Sequence, residues 1–308
     1  MNKLTKISMT ALSTALIAGS VQAMDYSISG GASISYTGVN TTSDTNPWSM
    51  GDSITFSTSG ELDNGMTVSV SLEMDDHGSD AIDDKSIKID TGNGVVGFAS
   101  SIGGIGGIGT IANKVPNAFT PVFQATNAVD YGQADQKMSS AGQWGYKHTV
   151  GGVGISLGYT PGGNTNGGAD TGWSLSYADL IDGMEVGYGQ QDDGTTSEAE
   201  TAYVKYVTGG ITVAYQKSKV DYESTGTSDE DATHYGISLA VNDDLSVSAG
   251  RMDVEIGTSA SEEENTGVSA SYTMGSVKIG LGFNKAANVG GSAGVDNEAT
   301  VGSITFSF

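Results

Sequence analysis

The sequence predicts an all-β chain, a sixteen-stranded antiparallel barrel that crosses a membrane. Three observations carry that prediction. After residue 23, apolar residues recur with period two in segment after segment. The connections between these segments alternate between short and long. The stretch Val301–Phe308 alternates apolar and small polar residues up to a terminal aromatic, which fits a last strand that pairs with the first and closes the sheet.

Residues 1–23 read as a cleaved leader. Lys3 and Lys6 form a charged start, an apolar run extends from Met9 to Val21, and Val21-Gln22-Ala23 has the small-x-small form of a cleavage site. The run is too short and too rich in Ser and Thr to span a bilayer. The expected division is therefore a signal peptide, 1–23, and one barrel domain, 24–308. The chain has no Cys, so a closed sheet rather than disulfides must supply its stability.

The elements follow in order. Tyr26, Ile28, Ala32, Ile34 and Tyr36 mark the first strand. Ile54, Phe56 and Leu62 mark a second, which turns at Asp63-Asn64-Gly65 into Met66, Val68, Val70, Leu72 and Met74. The Asn-Gly pair there is a tight-hairpin signal. Ile87 and Ile89 turn at Gly92-Asn93-Gly94 into Val96 and Phe98. After a long interruption, five further hairpins turn at Gly151-Gly152, Asp182-Gly183, Gly209-Gly210, Asn242-Asp243-Asp244 and Gly275-Ser276, and the C-terminal strand completes the set. Positions between the apolar ones are mostly Ser, Thr, Gly or charged, as in Ser53, Thr55, Ser57 and Ser69, Ser71, Glu73. About sixteen strands enclose a lumen too wide for side chains to fill, so the polar face is expected to be wet. Tyr and Trp near strand ends, such as Tyr36, Trp144 and Trp173, suit the two membrane interfaces.

The full chain carries 13 bases and 36 acids; removing Lys3 and Lys6 leaves 11 against 36, a net charge of about −25. Phosphate backbones would be repelled, which excludes nucleic acid as a partner. Cations, outer-membrane lipid and lipopolysaccharide bridged by divalent ions are the expected company. Asp75, Asp76, Asp80, Asp83 and Asp84 are dense enough to suggest a weak Ca²⁺ site, without EF-hand spacing, and no other cofactor is expected. The three histidines are scattered, no catalytic set stands out, and the chain does not read as an enzyme. Gly104-x-Gly106-x-x-Gly109 matches a dinucleotide fingerprint but has no strand–helix unit around it.

The interruption 101–143 is the functional candidate, because a connection of that length is uncommon unless it does something. Its apolar content, including Ile105, Ile108, Phe119 and Phe123, argues that it packs against something; in a pore it folds into the lumen and narrows it, the alternative being a long external loop folded on itself. Its charges are Lys114, Asp130, Asp135 and Lys137. Strand parity adds Glu73, Lys88, Lys147, Lys205 and Lys278 as lumen-facing charges around a constriction. Arg251 shares the parity of Leu245 and Val247, which sends it toward lipid near a strand's outer end, by way of a bulge or by snorkelling.

The stretch Gly51-Asp52-Ser53-Ile54-Thr55-Phe56, continuing to Glu61-Leu62-Asp63-Asn64-Gly65-Met66, resembles the second hairpin of the general diffusion porins of alphaproteobacteria. The leader, the long third loop and Phe308 are similar as well. The resemblance implies a homotrimer in the outer membrane of a Gram-negative bacterium, a third loop forming the constriction, and Phe308 as the signal read by the barrel-assembly machinery. Such porins commonly oppose loop acids with wall arginines; here Arg251 is the single arginine, which puts an anion preference in doubt.

The expected function is passive diffusion of small hydrophilic solutes and ions through a water-filled channel that prefers cations. One rival is a substrate-specific channel with a saturable site. A rival of another class is an exported adhesive or structural β protein, which would extract without detergent and leave bilayers silent.

Overall fold

The computed structural model describes residues 21–40, 46–75, 82, 84–100, 105–124, 126, 143–162, 168–178, 180–223 and 228–308. Its strands are β1 (Val21–Val39), β2 (Trp48–Leu62), β3 (Thr67–Asp75), β4 (Lys85–Asp90), β5 (Val95–Ala99), β6 (Gln143–Val150), β7 (Val153–Thr160) and β8 (Asp170–Ala178), then β9 (Met184–Asp192), β10 (Ser197–Thr208), β11 (Ile211–Tyr222), β12 (Glu230–Ala240), β13 (Leu245–Ile256), β14 (Glu263–Met274), β15 (Val277–Ala287) and β16 (Asn297–Ser307). Each pairs antiparallel with its chain neighbours, and β16 returns to β1, so the sixteen strands form one closed barrel. The seam runs from Gly31↔Ser307 to Val39↔Ala299. Phe308 extends it, its N–H donating to the Gly30 carbonyl at 3.0 Å while Gly30 N–H donates back at 2.8 Å. Closure satisfies every edge, which a sheet in hydrocarbon requires. Among the described residues no helix is long and apolar enough to cross a membrane.

The period-two pattern sorts as expected. Phe56, Ile87, Leu157, Ile237, Leu281 and Ile304 stand exposed on the outer wall. Ser, Thr and Gly alternate with them on the lumen side. Tight turns close one rim, which is periplasmic in a Gram-negative barrel. At Asp63-Asn64-Gly65, Gly65 takes φ 81°, a left-handed conformation that a side chain would resist.

Two details depart from the sequence reading. Val301 lies on the opposite face from Ile304 and Phe306 and is buried inside the barrel, so the terminal alternation is strict only from Ile304 onward. The connection between β9 and β10 is four residues, 193–196, rather than long, because these strands extend beyond the apolar band. Asp192 closes β9, and Glu198 and Glu200 lie within β10. The lumen stripe is also not uniformly polar: Ala232, Met252, Val254 and Ile256 point inward and form a buried cluster with Val122 and Phe123 of the long loop.

Candidate functional site

The long loop between β5 and β6 lies inside the barrel, and the described part of it follows the inner wall rather than cutting across. It starts at Ile105, which occupies the space left by two inward glycines: a methyl added at Gly97 would lie 2.4 Å, and at Gly145 2.5 Å, from Ile105 Cγ2. A short 3₁₀ turn, Ile108–Ile111, then buries both isoleucines against Ala199, Tyr203 and Val220. Further on, a methyl at Gly280 would lie 2.0 Å from the Phe119 ring.

Wall side chains grip the loop backbone along this path. Ser174 Oγ donates to the Gly107 carbonyl at 3.1 Å. Gln216 Nε2 donates to the Ala112 carbonyl at 2.7 Å, and its Oε1 accepts from Lys114 N–H at 2.8 Å. Ser248 and Ser269 accept from Ala118 and Phe119 N–H at 2.8 and 3.1 Å. Asn284 Nδ2 donates to the Pro121 and Gln124 carbonyls at 2.9 and 3.0 Å, and Asn297 Nδ2 to Thr126 O at 2.7 Å. Successive grips come from β8, β11, β13, β14, β15 and β16. Each satisfies a backbone group that would otherwise be stranded between loop and wall. Asn113, Asn117 and Gln124, exposed on the loop, are left to face the lumen.

The arc β1–β4 carries no such grip among the described residues. Its lumen face is a field of hydroxyls, with Ser57 Oγ 3.3 Å from Ser71 Oγ, together with Glu73 and Lys88. The described part of the loop thus leaves this arc uncovered.

The structure brings some of the expected charges together and leaves others apart. Lys114 and Lys205 converge on Glu185, at 3.5 and 2.5 Å, and Tyr203 donates its hydroxyl to the same carboxylate. The Lys114 ammonium sits 5.4 Å from the Tyr203 ring centroid, adding a cation–π contact. Glu73 and Lys88 lie on the bare arc, Lys147 on β6 and Lys278 on β15, each with inward parity. Asp130, Asp135 and Lys137 lie outside the described residues. So do Asp76, Asp80 and Asp83; Asp75 ends β3, Asp84 accepts from Ser100 Oγ at 2.9 Å, and no group of three potential metal ligands occurs among the described residues. Arg251 faces outward as parity predicted, without a bulge; it is held by Asp253 at 2.9 Å and Glu264 at 3.0 Å.

Sequence reasoning missed Glu185, Tyr203 and the gripping amides. Glu185 was findable, since it sits between the outward Val186 and the turn at Asp182-Gly183. The amides gave a fainter signal: Gln216, Asn284 and Asn297 are inward positions whose nearest inward neighbours on the same strand are small, Ala214 and Ser218, Gly282 and Ala286, and Ala299.

On the outer half of the barrel five acids have inward parity: Glu73 and Asp75 are half-buried on the wall, and Asp170, Glu230 and Glu263 are buried, Glu263 accepting from Asn265 Nδ2 and Gly290 N–H, whereas the outer-half bases Lys85, Lys217, Lys219, Arg251 and Lys285 face outward. Outward, Lys219 meets Asp221 at 2.8 Å and Lys285 meets Glu298 at 3.5 Å.

Comparison with known proteins agrees with this geometry. The model of a Gram-negative porin family matches residues 8–308. A mutant of the Rhodopseudomonas blastica porin superposes with a TM-score of 0.67 at 13% identity, covering 92% of this chain and 100% of that one. The in-vitro folded outer-membrane protein OmpT of Vibrio cholerae gives 0.65 at 14% identity, covering 94% and 99%. A trimer form of that protein gives 0.64 at 13%, covering 93% and 100%. No curated protein sequence matches.

Proposed function

Since this chain belongs to the Gram-negative porin family and is an outer-membrane β-barrel, we propose that it conducts small hydrophilic solutes and ions by passive diffusion and prefers cations. The observation that carries this reading is the loop stretch from Ile105 onward gripped around β8–β16, whose described residues leave the hydroxyl-lined arc β1–β4 uncovered. The cation preference rests on the outer half of the lumen, where inward charges are acids while the bases point out of the barrel. Such a mouth concentrates cations and repels anions. Planar bilayers test both parts. Removing residues 105–124 should raise single-channel conductance severalfold, and an unchanged value refutes the constriction. Replacing Asp130 and Asp135 by Asn should shift the reversal potential in a KCl gradient toward zero.

The chain is further proposed to assemble as a homotrimer, using the outer face of β1 and β2. Asp52 lies there in register with Ala32, between the apolar rungs Ile34/Met50 and Gly30/Ile54. A carboxylate at that depth is unfavourable against hydrocarbon. Met50 and Ile28 stand 77% and 70% exposed beside the small Gly30 and Ala32, against 46% for Ile237 and Leu281 elsewhere on the wall. These are knobs and hollows suited to a second copy, and a structurally similar outer-membrane protein of Vibrio cholerae has a trimer form. Ala32→Trp should fill the hollow and reduce the assembly to monomers on light scattering. Phe308, 76% exposed at the periplasmic end, is free to serve as the assembly signal, and the paired ions above the apolar band suit lipopolysaccharide headgroups.

A further inference from the structure

A cavity of about 450 Å³ opens on the lumen wall at the periplasmic side of the loop, where β4, β6, β7 and β8 meet the 3₁₀ turn. Its lining includes the ammonium-bearing Lys114 and Lys147, the carboxylate Asp90, and the hydroxyls of Thr110, Ser156 and Ser174. Ser156 is 5% exposed, and its hydroxyl oxygen has no hydrogen-bond partner among the described residues. A buried hydroxyl left without a partner costs free energy unless something completes it. The other hydroxyls are engaged: Thr110 Oγ1 lies 2.8 Å from Ser174 Oγ. Asp90 accepts the Gly92 N–H at 2.9 Å, which orients the carboxylate and leaves lone pairs to spare.

We propose that this cavity is a binding site for small zwitterions of the α-amino-acid class. The solute's carboxylate lies toward Lys114 and Lys147, its ammonium toward Asp90, and its polar remainder on the hydroxyl lining, Ser156 included. The charges argue for a zwitterion over a simple ion. An anion meets the acid-lined outer mouth on the way in and Glu185, 3.5 Å from Lys114, once inside. A cation passes the mouth but then meets both lysines. A zwitterion has no net charge to be repelled and offers a group of the right sign to each end of the site. This inference rests on the channel reading for access and makes the pore selective within an otherwise non-specific flux.

The test uses the purified full-length protein. In planar bilayers, L-glutamine should reduce the KCl current saturably and add binding noise. Sodium acetate, ethylammonium chloride and sorbitol at equal concentration should change it only in proportion to the change in solution conductivity. Lys147→Gln and Asp90→Asn should each weaken glutamine block about tenfold, the loss expected for one charged contact, and Ser156→Ala less. Calorimetric titration of L-glutamine into detergent-solubilised protein reads the site without conduction. Heat-shifted gel mobility identifies a variant that has failed to fold, in which case Lys147→Arg replaces it. Block that never saturates, equal block by all four probes, or saturable block by acetate or ethylammonium alone overturns the proposal. Absence of any KCl current, with calorimetric binding intact, overturns the channel reading and leaves the site standing.

Discussion

The arc of wall that the loop covers and the arc it leaves bare obey the same period-two rule, yet their inward positions are filled differently. On the covered arc many of them are glycines placed where a loop side chain must enter, such as Gly97 and Gly145 at Ile105 and Gly280 at Phe119. On β1–β4 they are hydroxyl residues, Ser29, Ser33, Thr55, Ser57 and Ser71 among them. A glycine leaves a hollow for another part of the chain; a serine presents a group to water. The inward stripe of a barrel thus records which stretch is packed and which is wet.

A bulky substitution should act with opposite sign on the two arcs. Gly280→Val places atoms where the Phe119 ring now lies, so the loop must lift from β15. Single-channel conductance is expected to rise about twofold or more. Ser57→Leu on the bare arc meets none of the described loop residues and narrows the passage, so conductance should fall. Equal signs from the two variants would sink the comparison.

The grips offer a smaller effect on the covered arc alone. Asn284→Ala strands the carbonyls of Pro121 and Gln124, each hydrogen bond being worth on the order of 1 kcal/mol. The barrel should remain intact while the loop becomes cleavable by added protease and the open-channel current flickers. Ser71→Ala on the bare arc should change neither readout.

How far the sequence carried this picture depends on the range of the interaction concerned. Strand positions, hairpin turns and the seam at Phe308 follow from local alternation and turn residues, and they were readable. So was the inward parity of Lys205, which shares Glu185 with Lys114 of the loop. The loop's course was not, because it depends on pairs such as Gln216 with Ala112 and Asn297 with Thr126, far apart in sequence. Nor could alternation reveal that Val301 turns inward beneath the loop, since an apolar residue satisfies the same pattern on either face when something covers it.

Charge gives the next step down in size. Glu185 holds Lys114 of the loop and Lys205 of the wall in one cluster, so Glu185→Gln leaves two ammonium groups facing the lumen with a neutral partner. Cation-over-anion permeability should drop about twofold, read from the reversal potential in a salt gradient. The comparable change on the bare arc, Lys88→Gln, should raise it instead.

The smallest effect lies outside the lumen, at the rim where β9 meets β10. Asp193 accepts backbone N–H groups from Thr195, Thr196 and Ser197 at 2.9, 2.7 and 3.0 Å, and hydroxyls from Thr196 and Ser197 at 2.7 and 2.8 Å. Burial works against the charged form, but these donors outweigh it and hold the carboxyl well below the usual carboxylate range. A folded-state pKa depressed below the unfolded value, near 4, means that the stabilisation is complete above about pH 5 and is lost as the pH falls through the acid range. Asp193→Asn should therefore lower the urea midpoint at pH 7, by the equivalent of about 1–2 kcal/mol. The gap between variant and parent should shrink steadily below pH 4, as the parent's own carboxyl takes up its proton. A gap that is constant from pH 7 to pH 2 would mean that the short β9–β10 turn owes its form to strand pairing alone, and that the acid at its start contributes nothing.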